Sequence, residues 1–238
     1  MKELFVGILA SVIAGILLIV TGSFLSKSAR WVLTATLGRL LEIDTEFVFR
    51  NQADAEEDIR KELARASKVD LLTSRGNELQ RGTLTDFLHD KPKGFKPQFR
   101  LLLPVARSKG EGPDWTAQRD REVGTFDSNF GKGLLRDQIE TTVKSLGSFV
   151  ENGLIELRFY NYPHIGRILV TDHVAYFTPY RKDAHGKDCN VIKYRRGGNT
   201  YESLSRLFEL LWDEGSVSSK DAEQGIEKQR HTVSDSCT

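Results

Sequence analysis

Cysteine is scarce: the 238 residues include two, Cys189 and Cys237. They frame no disulfide scaffold and no metal-ligand spacing, and such usage suits a reducing compartment. Charge of one sign is not in excess either, with 34 Lys and Arg against 33 Asp and Glu. That balance excludes a global field able to gather nucleic acid or an acidic partner, so any such preference must be local. An internal repeat is also missing. Gly131, Lys132 and Gly133 do not complete the spacing of a nucleotide phosphate loop. No metal and no cofactor are expected.

What the chain does have is a long apolar opening. From Leu4 to Leu25 there is no charged residue, and about 20 apolar residues cover a hydrocarbon core of roughly 30 Å. A signal peptide is the competing reading, but its apolar stretch is usually only about 7 to 15 residues after a basic start. Here Lys2 is offset by Glu3, and no small-x-small cleavage site is evident. Lys27, Arg30 and Arg39 follow the run, so the positive-inside bias predicts a single-pass protein of the cell membrane with its C-terminal domain in the cytoplasm. Gly7, Ser11 and Gly15 recur every four residues. This spacing predicts a homo-oligomer through close backbone approach, against the alternative that small residues are simply common in membrane helices.

Residues 26–43 mix Trp31 and several leucines with those three basic residues. They read as a juxtamembrane segment lying on membrane lipid, or as a helix extending onto the domain. The remaining length suits one domain of ordinary size, residues 44–214, followed by a polar tail, 215–238, expected to be disordered. Within the domain, short apolar strands alternate with amphipathic helices. Strands are expected at 46–50, 69–73, 99–103, 154–159, 167–171, 174–178 and 190–194. Helices are expected at 53–66, from about 78, at 134–150 and from 199, the last capped by Asn199 with Glu202, while the charged, glycine-rich stretch 106–133 reads as a flexible surface loop with room for a short helix near 115–123. This pattern predicts an α/β fold, a mixed sheet flanked by helices, preceded by one transmembrane helix. Arg75 and Gly76 fall in the loop after the second strand, where ligands of open α/β sheets bind, and Arg107 follows the third.

The element order, the strand VDLLT with its SRGN loop, and above all YNYPHIGRILVTDHVAYFTPY followed by a late strand and FELLW, resemble the phospholipase D-like superfamily. Its motif is His, Lys two residues later, and Asp after four more. Aligned on the acid, Asp172 matches and Arg167 takes the Lys position. Ile165 stands where the nucleophilic His belongs, His164 misses it by one, and YFTPY replaces the Gly-Ser-x-Asn continuation.

The resemblance implies either a metal-independent phosphodiesterase or nuclease acting as a homodimer, with His164 as catalytic residue, or a branch that has lost catalysis and binds ligand. Arg in place of Lys favours binding, because guanidinium grips phosphate bidentately and does not give up its proton at neutral pH. The expected site is therefore Arg75, Gly76, Arg167 and Asp172 around a phosphate-bearing ligand such as a nucleotide or nucleic acid. Two alternatives stand beside it: Asp172 capping the turn between strands, and a membrane scaffold that binds only protein.

Overall fold

The structure is a computed structural model that describes residues 2–26, 36, 44–79, 83–89, 98–106, 113–213 and 216–218. Arg107, Cys237, the three basic residues after the apolar run and the tail beyond 218 lie outside these.

Residues Lys2–Leu25 form helix α1. Its side chains are described at 7–8 and 10–22, and the apolar ones among them are exposed, Leu18 to 73 %. Among the described residues no helix is long and apolar enough to cross a membrane. This corrects the expected transmembrane helix, and with it the single-pass cell-membrane localisation and the cytoplasmic placement that rested on it. Among the described residues, a Cβ at Gly7 or Gly15 on the small face of α1 would touch nothing within 4 Å. The Ser11 hydroxyl donates back to Gly7 O at 3.0 Å.

The domain is built on one mixed sheet. Its strands are β1 (Thr45–Phe49), β2 (Lys68–Leu72), β3 (Gln98–Pro104), β4 (Glu156–Tyr160), β5 (Gly166–Thr171), β6 (Val174–Pro179) and β7 (Val191–Arg195). A short eighth strand, β8 (Ser216–Ser218), joins at one edge, so the tail expected to be disordered begins with a paired strand. The order is β1-β7-β6-β5-β2-β3-β4-β8. Strands β2, β3 and β4 run parallel, whereas β5 is antiparallel to β2, with Leu72 opposite Ile168. The start of β5 therefore lies beside the carboxyl end of β2. This places Arg167 against the loop that carries Arg75.

Both faces of the sheet are covered, which is why β2 and β3 read as continuous apolar runs rather than alternating ones. Leu71, Leu101 and Leu103 face helices α2 (Gln52–Arg65), α3 (Thr83–His89) and α5 (Leu134–Glu151). Their neighbours Leu72 and Leu102 face α6 (Asn199–Asp213), which buries Tyr201, Leu204, Phe208 and Trp212. Each large apolar side chain fully buried in this way contributes roughly 1.5 to 3 kcal/mol.

Charges are buried with their partners. Asp70 and Arg100 face each other in the β2–β3 register and pair bidentately at 2.7 and 2.8 Å. Glu209 of α6 reaches the same guanidinium, which lies 5.1 Å from the Phe208 ring centroid. The hydrogen bond from Arg100 pulls the Glu209 carboxyl down to about 2. On the other face Lys193 meets Asp58 at 2.9 Å and Glu62 at 3.0 Å.

Capping is done across elements as well as within them. Asn51 Oδ1 accepts from Asp54 N at the start of α2, as a short polar residue before a helix should. Helix α6 begins differently from expectation: the carboxylate of Asp44 accepts from Thr200 N, so the cap comes from before β1 rather than from Asn199. Helix α5 has no cap of its own, since Gly133 precedes it at φ +86. Asp120, from helix α4 (Trp115–Gly124), accepts instead from Gly133 N at 2.8 Å and Leu135 N at 3.0 Å.

Candidate functional site

A cavity of about 390 Å³ opens at the carboxyl end of β2. Its floor comes from the β2 loop, Thr73 to Glu78, and from Arg167 at the start of β5. One wall comes from Arg119 and Val123 of α4, and the far side from Tyr180 and the short 3₁₀ turn Gly186–Asp188 after β6. Crevices beyond strand ends are the usual ligand sites of open α/β sheets.

The loop backbone is fixed by packing. Gly76 has φ +69, and a Cβ there would sit 2.7 Å from Thr142 Cγ2, so only glycine fits. The Thr142 hydroxyl, from α5, donates to Arg75 O at 2.7 Å. Gly166 is required for another reason: a Cβ would meet Phe177 Cε2 at 2.6 Å and Thr178 O at 2.7 Å across the β5–β6 pair.

Cations dominate the lining. Arg75, Arg119, Arg167 and Lys187 face it, against the single carboxylate of Glu78. They differ in how far they are already engaged. Arg119 is occupied, donating to Glu122 Oε2 at 3.0 Å, Arg181 O at 3.0 Å and Ala184 O at 3.2 Å. Arg75 donates to Gln138 Oε1 at 3.0 Å. Arg167 is 8 % exposed, yet its hydrogen bond among the described residues is one long contact to Thr178 Oγ1 at 3.3 Å. Its approach to Glu78 is 3.9 Å, while Glu78 already accepts from Thr73 Oγ1 at 2.6 Å. The other N–H donors of Arg167 are not among the buried unpartnered side-chain atoms of the described residues, so they open onto the cavity, where an incoming acceptor can reach them. Lys187 makes no ion pair among the described residues.

Arg75 and Arg167 thus both line the cavity, with Gly76 shaping the loop that carries Arg75. Asp172 does not join them. It lies beyond the opposite end of β5, about 16 Å away along an extended strand. There it accepts from Ser67 N at 3.1 Å and Ser67 Oγ at 2.7 Å, bonds that hold its carboxyl below the usual range despite partial burial.

His164 is apart from the cavity as well. The chain turns at Pro163, with Ile165 N donating to Pro163 O at 2.9 Å, and Ile165 is left 49 % exposed. The His164 ring packs 6.0 Å from Tyr160, and neither ring nitrogen has a hydrogen-bond partner among the described residues. Burial first, and then the charge of Arg119, hold its pKa down to about 4.

Sequence reasoning missed the residues contributed from beyond β6. His185 and Lys187 both line the cavity, and Gly186 between them is forced, because a Cβ would sit 2.8 Å from the Tyr180 ring. His185 Nε2 lies 3.1 Å from Asp127 Oδ2, and its ring meets Phe126 edge-on at 5.1 Å. The signal that could have found them is the His-x-Lys spacing of His185 and Lys187, the first half of the superfamily motif, although Ile192 stands where its acid would fall.

No family model and no curated protein matches this sequence. Among solved structures the chain is similar to TrmBL2, an archaeal chromatin protein, at TM-score 0.44 and 13 % identity, over 90 % of this chain and 68 % of that one. It is also similar to phosphatidylserine synthase from Haemophilus influenzae Rd KW20, at TM-score 0.43 and 10 % identity, over 80 % of this chain and 46 % of that one. At this distance the likeness assigns neither family nor activity.

Proposed function

We propose that the domain binds a phosphate-bearing ligand in this cavity and holds it without turnover. The observation that supports this reading is Arg167: a guanidinium at a strand end whose one hydrogen bond among the described residues is long, in a cavity also lined by Arg75 and Lys187. An anion with several oxygens would meet those donors, and charge-assisted bonds of this kind are the strong ones. Calorimetric titration of the full chain with inorganic phosphate and ribose 5-phosphate tests it. Arg167→Ala should weaken binding by about one to two decades, the loss expected from a charge-assisted contact of roughly 1.5 to 3 kcal/mol. Unchanged affinity in that variant would remove the site from consideration.

One observation favours a second reading, phosphodiester cleavage. His185 lies in the cavity with an acid against one ring nitrogen, the arrangement by which an imidazole is oriented for nucleophilic or proton-transfer work. Cleavage of a generic phosphodiester by the purified chain, abolished in His185→Ala and retained in His164→Ala, would establish it over binding alone.

A further inference from the structure

Resting on the phosphate-binding reading of the cavity, we infer that its ligand is a nucleoside monophosphate, whose base stacks on Phe130 and whose sugar hydroxyls meet Glu78.

Three observations carry this beyond a bare anion. The first is size. A cavity of about 390 Å³ falls in the range of small-molecule sites, on the order of 300 to 1,000 Å³, and a lone phosphate would leave most of it empty.

The second is the carboxylate. Glu78 stands among the cations with side-chain exposure of 13 %, and an acid there repels a simple anion. It is the right acceptor for neutral O–H donors, so a ligand with hydroxyls beside its phosphate turns that repulsion into hydrogen bonds. Gln52 and Asn77 add carboxamides to the lining, each with donor and acceptor, suited to the edge of a base.

The third is the aromatic side. Phe130 lines the cavity beside His185, their centroids 6.4 Å apart, and Phe126 backs the histidine. A π-face in the same cavity as a set of phosphate-binding cations lets a protein hold a nucleotide by base and phosphate together. A glycerol phosphate or an inorganic anion has nothing to place there.

The test is a calorimetric panel on the full chain: the four common nucleoside 5′-monophosphates, ribose 5-phosphate, glycerol phosphate and inorganic phosphate. At least one nucleotide should bind about tenfold or more tighter than ribose 5-phosphate, the effect of one stacked base. Phe130→Leu, which keeps apolar volume but loses the ring face, should erase that advantage and leave ribose 5-phosphate unchanged. Glu78→Gln should move the two kinds of probe in opposite directions, weakening ribose 5-phosphate and tightening inorganic phosphate. Equal binding of ribose 5-phosphate and all four nucleotides, or a preference for glycerol phosphate, would overturn the inference while leaving a phosphate site. Failure of every probe, inorganic phosphate included, would overturn the site itself.

Discussion

Arg167 and Glu78 stand 3.9 Å apart at the base of the cavity, too far for a hydrogen bond and close enough for each to feel the other's charge. The acid is held by Thr73 rather than by the arginine. In the absence of ligand Glu78 therefore lowers the cost of burying Arg167 without using its donors, and it competes with any incoming anion. Neutralising it by Glu78→Gln should tighten inorganic phosphate by several-fold, about 1 kcal/mol in affinity, and should lower the melting temperature because Arg167 loses its nearest counter-charge. Titration and thermal unfolding of the same variant check both halves. Weaker phosphate binding would show that the acid orients the guanidinium instead.

Asp172 offers a control from the same strand. Its carboxylate accepts two bonds from Ser67 at the opposite end of β5 from Arg167. Asp172→Ala should cost stability of about 1 to 2 kcal/mol while changing phosphate affinity less than about twofold. A loss of affinity matching that of Arg167→Ala would mean that the two ends of the strand act together.

His164 predicts a pH dependence. Its folded pKa of about 4 lies below the ordinary histidine value of 6.5, so the unfolded chain takes up a proton that the folded chain refuses. Stability should therefore fall as pH drops from about 6.5 to about 4 and level off below, a loss of roughly 3 kcal/mol from this one group. His164→Phe keeps the ring volume and removes the titration. Denaturant unfolding across that window should show a shallower slope than the native chain, and identical slopes would place the burial of His164 in doubt.

The Asp70–Arg100 pair makes the largest structural prediction. Asp70 is 2 % exposed, so Arg100→Met leaves a carboxylate buried with Lys68 as its remaining cation. Stability should fall by about 3 to 5 kcal/mol, and the double variant Asp70→Leu/Arg100→Met should recover most of it. A double variant no better than the single would show that Glu209 and the aromatic faces of α6, not Asp70, are what the guanidinium mainly serves.

Most of the sheet was legible because its signal is local. Leu71 and Leu72, or Leu101 to Leu103, are apolar on both faces, and such runs mark strands covered on two sides; their bounds fall within a residue or two of expectation. The long stripe from Leu135 to Leu146 was equally plain as α5. What could not be read is what depends on distant partners. Asp44 caps α6 across the whole length of the domain, and no spacing announces it. Arg167 and Asp172 are near in sequence, but β5 is fully extended and carries them apart. His185 and Lys187 reach the cavity from an aperiodic loop, where neither helix nor strand period says which way a side chain turns. The apolar run misled for the opposite reason: its length and flanking charges were taken for a span, whereas among the described residues no helix is long and apolar enough to cross a membrane.

The loan of Asp120 from α4 to the first turn of α5 has a consequence for motion. Arg119 and Val123 of the cavity wall stand beside Asp120 on one helix, while Leu135, Gln138 and Thr142, which hold the other side of the Arg75 loop, belong to the helix it caps. Neither helix can move away here without breaking the two bonds that the Gly133 and Leu135 amides donate to the Asp120 carboxylate. In amide exchange the amides of Gly133 and Leu135 should open together with those around Asp120 as one cooperative unit, so that the cavity is lost or kept whole rather than frayed from one wall.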